Sequence, residues 1–182
     1  NKKDSKNFWE RAQKFSNDKF ALTFYSAQGF YWIINGYLRD ETFFEKKEDK
    51  LKMPIEHVKS FIFCMQESLK KNRNVKDGIV VYRGINTYKF PQDIGKGSQF
   101  YYREFISTSI YEKTAREFIY SEKGSLLIIT IKSNKERNYC FGIKNFSVFP
   151  KEGEIIISSF CRFIVTEIKR DEEGIDIVKL DC

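Results

Sequence analysis

Asp77-Gly78-Ile79-Val80-Val81-Tyr82-Arg83-Gly84 is where the chain changes character. Asp77-Gly78 is a turn dipeptide, and the four residues after it are β-branched or aromatic, types that suit a pleated, half-buried strand. Upstream, apolar residues recur at helical spacing. Downstream, they come in short runs. Helices first and strands after, with little alternation, predict an α+β fold and argue against a doubly wound parallel sheet.

Working back from this boundary, Phe20, Phe24, Ala27, Tyr31, Ile34 and Leu38 follow one another in steps of three and four, which places them on one face of a helix. Asn17 or Asp18 can cap its start. A polar connection, 40–52, leads to a second helix. Pro54 stands where a first helical residue would, and Ile55, Val58, Ile62, Met65 and Leu69 repeat. Lys70, Lys71 and Arg73 close it where cations suit the helix dipole. Working forward, strands are predicted at 79–82, 105–109, 126–131, 155–157, 163–168 and 175–180. A short helix is expected around 114–120 and a hairpin turn at 171–174. No internal repeat or Pro/Gly/Ser-rich linker divides the chain, so one compact domain over 1–182 is expected.

Composition narrows the function classes. Hydrophobic residues make up 41% and charged residues 31%, which gives no argument for intrinsic disorder. The 18 Phe and 10 Tyr support a sizeable core. The apolar runs, such as 126–129 and 155–157, fall far short of the roughly 18 to 20 residues of a membrane span. The N-terminus, Asn1-Lys2-Lys3-Asp4, has neither an initiator Met nor an apolar signal region. It reads as a processed form or an excised domain, so both secreted and cytoplasmic locations stay open. The net charge is +7 and the pI about 9.1, but 32 basic and 25 acidic residues are interleaved. That pattern reads as solvated surface and argues against nucleic acid as partner. Cys64, Cys140, Cys161 and Cys182 form no C-x-x-C pair, and His57 is the only histidine, so a zinc site is not expected. Two disulfides and four reduced thiols are both open readings.

Three polar features interrupt the strands. Arg83-Gly84 ends the run 79–82. An arginine there needs an anion, and its planar fork suits phosphate or a structural carboxylate; Gly84 lets a ligand approach the backbone. Ser107-Thr108-Ser109 follows Phe105-Ile106, with Ser107 and Ser109 on one strand face and Thr108 on the other. Such hydroxyls orient a carboxylate, receive an amide or tie off a strand end. Third comes Ser147-Val148-Phe149-Pro150-Lys151-Glu152-Gly153-Glu154. If this stretch is extended, Glu152 and Glu154 face the same side. Paired carboxylates stabilise a sugar cation and handle a proton.

In this order, Arg83, the Ser107-Thr108-Ser109 strand and Glu152-Gly153-Glu154 resemble the arginine-specific mono-ADP-ribosyltransferases of the R-S-E type, vertebrate-type and toxin-like. Phe146 to Ile155 looks like that family's acceptor-recognition loop, and the helical segments 21–26 and 34–39 resemble its N-terminal helices. The resemblance runs from about residue 8 to 170. It implies N-terminal helices packed on two roughly perpendicular β-sheets, with NAD⁺ bound as co-substrate in the cleft between them and no metal. No G-x-G-x-x-G motif occurs, so a dinucleotide dehydrogenase is not supported.

The roles implied by the resemblance are specific. Glu154 stabilises the positive charge that develops on the ribose as nicotinamide leaves. Arg83 holds the pyrophosphate and the Gly84 backbone meets the nicotinamide amide. Ser107 orients Glu154, with Thr108 and Ser109 in support. Glu152 aligns and deprotonates the acceptor arginine of a target protein, whose guanidinium is a poor nucleophile at its usual pKa of about 12.5 or above. Phe149 and Pro150 shape the acceptor surface. The rival readings are an NAD⁺ glycohydrolase and, from another class, a non-catalytic basic binding module.

Overall fold

Ile155, Ile156 and Ile157 alternate between two cores, which is why this strand carries three branched apolar residues in a row. The computed structural model describes residues 18–26, 31–40, 42, 54–71, 74–86, 94–120, 124–132, 140–143, 147 and 149–182. In it, Ile155 and Ile157 pack with Val81, Ile106, Leu127, Ile129 and Phe163. Ile156 turns the other way, into a cluster with Leu22, Tyr25, Met65 and Phe105.

The described residues of the helical third include α1 (Asp18–Ser26), α2 (Tyr31–Arg39) and α3 (Ile55–Lys71). The residues of the expected apolar face divide. Phe24 and Ile34 are buried and Leu38 is partly so, but Tyr31 is half-exposed, while Leu22 and Tyr25 are fully buried. Phe24, Ile34 and Leu38 therefore lie on the contact face as the spacing predicts, and Leu22 and Tyr25 widen it; the Tyr25 hydroxyl is what sequence alone does not send inward. Ala27, Asn17 and the side chain of Asp18 lie outside the described residues, as does Arg73. In α3, Val58, Met65 and Leu69 are buried as the spacing predicts, and Lys70 and Lys71 occupy the last turn. Pro54 stands just before the helix, where its carbonyl accepts from the His57 amide at 3.0 Å.

Among the described residues eight strands follow: β1 (Val80–Ile85), β2 (Gln99–Tyr102), β3 (Ile106–Ser109), β4 (Ser125–Thr130), β5 (Cys140–Gly142), β6 (Glu154–Ile157), β7 (Cys161–Arg170) and β8 (Asp176–Asp181). They form one mixed sheet in the order β2-β7-β8-β4-β1-β3-β6-β5. Among the described strands only β4 and β8 pair in parallel. Whereas β1 pairs with β4 along its whole length, it touches β3 through the single pair Tyr82↔Ser109. This joint divides the sheet into a five-stranded part and a three-stranded part, and side chains from both meet in one core. The helices cover the outer face of the three-stranded part through Phe105, Phe141 and Ile156.

Some boundaries differ from expectation. β1 continues through Arg83 and Gly84 to Ile85, so the arginine sits inside the strand. β2 and β5, four and three residues long, fall outside the predicted strands because so short a stretch shows no readable alternation. The short helix α4 (Glu112–Arg116) ends before Tyr120, because the amides of Phe118 and Ile119 bond three residues back, to Ala115 and Arg116, in a tighter turn. The hairpin at 171–174 is present. Asp171 Oδ1 accepts from the Glu173 and Ile175 amides, and Gly174 takes φ 80°.

All four cysteines are free thiols. Cys64 is exposed and the other three are buried. Hydrogen bonding with Cys182 and burial push the Cys140 thiol far above its ordinary range. Among the described residues no helix is long and apolar enough to cross a membrane, and no cluster of His, Cys, Asp and Glu is placed to hold a metal.

Candidate active site

The joint between the two sheet parts opens into a cleft of about 430 Å³. Arg83 and Gly84 reach it from β1, Ser107, Thr108 and Ser109 from β3, and Glu152 and Glu154 from the segment entering β6. Tyr25, Tyr31 and Asn35 close it from the helices, and Thr114, Ala115, Phe118 and Phe149 form the opposite rim. The three polar features therefore converge in space, though they are separated by up to 71 residues of chain.

Glu154 is the buried carboxylate of the cleft, with 7% of its surface exposed. Its Oε1 accepts a short 2.5 Å hydrogen bond from Ser107 Oγ, and its Oε2 accepts from Ser147 Oγ at 3.2 Å. Burial pushes the Glu154 carboxyl above the ordinary carboxylate range, and the two serine bonds pull it back. The neighbouring Glu152 charge adds a smaller upward push. Both oxygens are thus held in a fixed orientation, which a carboxylate needs if it is to face a developing cation without rearranging.

The other two hydroxyls do a different job. Thr108 Oγ1 donates to the Ile155 carbonyl at 2.7 Å, and Ser109 Oγ donates to the Glu152 carbonyl at 2.6 Å. Ser109 also receives the Tyr111 amide at 2.9 Å. Both anchor backbone, while Ser107 alone of the three bonds to the Glu154 side chain.

Glu152 is not extended, contrary to the sequence expectation. Pro150, Lys151 and Glu152 form a single 3-10 turn, closed by Gly153 in the left-handed region at φ 57°. Pro150 starts the turn because its ring fixes φ near the helical value. A Cβ on Gly153 would meet Ile110 Cγ1 at 2.6 Å and Tyr111 Cε2 at 2.9 Å, so this reversal is reserved for glycine. The turn still brings Glu152 into the cleft beside Glu154. Partial burial raises the Glu152 carboxyl above its usual range, and the Glu117 charge adds to this. Phe149 lines the cleft and is exposed, whereas Pro150 is outside its lining.

Arg83 donates from Nη1 to the Ser107 carbonyl at 3.2 Å and pairs through Nη2 with Glu104 at 3.6 Å. Its Nε is buried and lacks a hydrogen-bond partner among the described residues. A buried, unsatisfied guanidinium N–H beside a cleft is a place for an anionic or carbonyl oxygen. A second cavity of about 610 Å³ shares Arg83, Gly84 and Phe118 with the first and extends past Arg39, Phe100, Tyr102 and Arg103. Gly84 lines both cavities, and a Cβ there would lie 2.1 Å from the Ala115 carbonyl oxygen. The missing side chain is what lets α4 lie against β1. Gly84→Ala is expected to destabilise the fold by about 1–3 kcal/mol, through overpacking against backbone. A lowered denaturant midpoint checks this, and an unchanged midpoint would show that α4 shifts freely.

Sequence reasoning gave no role to Ser147, Tyr25, Asn35 or Glu104. Ser147 stood in the quoted loop, and a hydroxyl seven residues before a key carboxylate was its only signal. Asn35 bonds the Phe105 backbone at both its amide and its carbonyl, at 3.2 and 3.1 Å, and also bonds the Tyr25 hydroxyl at 2.9 Å. Burial raises the Tyr25 hydroxyl well above its ordinary pKa, so it stays a neutral donor, to the Phe105 carbonyl at 3.1 Å.

Comparison with known proteins sets this geometry in a family. A family model described as NAD:arginine ADP-ribosyltransferase matches residues 1–181. The chain is 27% identical over 154 residues to ecto-ADP-ribosyltransferase 5 of Rattus norvegicus, covering 80% of this chain and 44% of that protein. It is 29% identical over 124 residues to NAD(P)(+)--arginine ADP-ribosyltransferase 1 of Gallus gallus, covering 66% of this chain and 36% of that protein. It thus spans less than half the length of these relatives. Among solved structures, the ADP-ribosyltransferase Vis, a toxin of Vibrio splendidus, in complex with agmatine superposes with a TM-score of 0.70 at 21% identity. That match covers 91% of this chain and 73% of Vis, and it speaks for the fold. With the whole length matched by one family model and the expected polar features gathered in one cleft, the chain belongs to the NAD:arginine ADP-ribosyltransferase family.

Proposed function

We propose that this chain transfers ADP-ribose from NAD⁺ to an arginine side chain of a target protein and releases nicotinamide, and that residues 1–182 form one catalytic unit. The observation that carries the reading is the Glu154 carboxylate, buried and fixed at both oxygens in a cleft that also holds Arg83 and Glu152. Glu154 accepts a ribose hydroxyl and stabilises the positive charge that grows on the ribose as the bond to nicotinamide breaks. Arg83 uses its unsatisfied Nε and its exposed edge for the pyrophosphate. The Gly84 backbone meets the nicotinamide amide, and the second cavity takes the adenosine end.

Glu152 receives the acceptor. Its raised pKa makes it a better proton acceptor than an ordinary carboxylate, and Phe149 at the rim covers the alkyl part of an incoming arginine. Agmatine, a small guanidine, is bound by the structurally similar Vis, which supports a guanidine acceptor here. The ecto-enzyme relatives support an extracellular location for this domain, one of the two compartments compatible with its sequence.

Mass spectrometry of NAD⁺ incubated with the protein and agmatine tests the reading. ADP-ribosyl-agmatine is the expected product. Free ADP-ribose alone would assign a glycohydrolase, and no turnover by folded protein would favour the binding-module reading.

A pH profile tests the role of Ser107. Its bond stabilises the charged form of Glu154, so its loss raises the Glu154 pKa further. Since the ionised form is the active one, Ser107→Ala is expected to move the acid limb of kcat/KM upward by about one to two pH units, from the ~1.5–3 kcal/mol of a hydrogen bond to a charged group. An acid limb that stays in place would detach Ser107 from Glu154.

A further inference from the structure

Glu104 is a buried carboxylate that the mechanism above does not use. Its side chain is 8% exposed, yet it stands between two arginines from different parts of the fold. Oε2 pairs with Arg39 Nε of α2 at 2.9 Å, and Oε1 faces Arg83 Nη2 of β1 at 3.6 Å. Arg39 Nε also donates to the Asn35 carbonyl at 3.1 Å. The next residue along the chain, Phe105, has its backbone amide and carbonyl both held by Asn35. Glu104 therefore projects from beside anchored backbone and reaches both guanidinium groups from there.

Both arginines and Glu104 line the second cavity, at the end where it joins the catalytic cleft. Two guanidinium charges less one carboxylate leave this triad one net positive charge, and Arg103 adds another along the same cavity. Each guanidinium spends one edge on Glu104 and keeps other donors for a ligand. Without the carboxylate, two cations would repel across the cavity mouth, and Arg39, 59% exposed, would be drawn into water.

We propose that Glu104 is a positioning residue that holds Arg39 and Arg83 together as a two-armed clamp for the diphosphate of the donor. This rests on the reading of NAD⁺ as co-substrate. The clamp grips the part of the donor that does not react, so its effect falls on donor binding more than on bond cleavage.

Calorimetric titration with ADP-ribose and, separately, with nicotinamide tests it on the wild-type protein, Glu104→Gln, Arg39→Ala and the double variant. Glu104→Gln is expected to weaken ADP-ribose binding about tenfold, the scale of releasing rotamer-rich side chains, and to leave nicotinamide affinity within about twofold. The KM for NAD⁺ should rise with it while kcat falls far less. In the Arg39→Ala background the loss caused by Glu104→Gln should shrink, because the two act as one unit. Glu104→Asp, which keeps the charge and shortens the reach, should fall between wild type and Glu104→Gln, and it serves if Glu104→Gln does not fold. ADP-ribose affinity unchanged in Glu104→Gln would overturn the clamp. So would equal losses for both ligands, which would mark a merely structural role. Wild-type protein that binds no ADP-ribose would overturn the donor reading first and the clamp with it.

Discussion

Glu154→Gln is expected to lower NAD⁺ turnover by about a thousandfold or more, measured as nicotinamide release by the folded variant. The substitution keeps the shape of the side chain and its capacity to bond Ser107 and Ser147. It removes the negative charge that faces the ribose. Loss of one preorganised electrostatic partner in a water-poor site costs about 10²–10³ in rate, and here the lost partner carries a full charge. Folding should not suffer. Burial raises the Glu154 pKa above its unfolded value, so the proton-bound form is favoured in the native state. The Glu154 contribution to wild-type stability is then fully present below the ordinary carboxylate range and is lost as pH rises through the raised folded pKa. Gln escapes that loss. A thermal melt at neutral pH that is no lower than wild type, beside lost turnover, separates chemistry from structure. Near-normal turnover would remove Glu154 from the mechanism.

Glu152→Gln should divide the reaction. Transfer to agmatine is expected to drop about 10²–10⁴-fold, the usual worth of a positioned general base, while hydrolysis of NAD⁺ continues. The donor site remains because Ser109 bonds the Glu152 carbonyl and the Ile110 amide bonds the Gly153 carbonyl; neither contact involves the Glu152 side chain. The turn therefore keeps its shape in the variant. The ratio of ADP-ribosyl-agmatine to free ADP-ribose, followed by mass spectrometry, is the readout. Transfer at the wild-type rate would assign acceptor deprotonation to another group.

The sequence and the structure agree where side-chain pattern and local geometry point the same way. The run Ile155-Ile156-Ile157 reads as a strand and is one, and Asp171-Gly174 carries its own turn chemistry. They part where the decisive partner is far along the chain. Nothing near Tyr25 announces that its hydroxyl will meet the Phe105 carbonyl, 80 residues away. Nothing near Glu104 names Arg39. A lone glutamate leading into the apolar Phe105-Ile106 was the available hint, since a charge at the mouth of a buried strand must be paired. The site residues were legible as types in order, while the turn at Glu152 was not. Spacing alone suggested an extended pair, and the pairing of Pro150 with a left-handed Gly153 overrides it.

The single Tyr82↔Ser109 pair has a mechanical consequence. Arg83 and Gly84 ride on one side of that seam, and Ser107 and Glu154 on the other. Backbone pairing therefore holds the two sides in register at one rung only, and a molecule filling the cleft grips both, much as a rivet does. Its binding energy is then spent partly on closing a seam the chain itself leaves thin. Amide protons beside the seam, at Tyr82 and Ser109, should become slower to exchange when the cleft is filled, and those in the fully laddered β4 and β8 should barely notice.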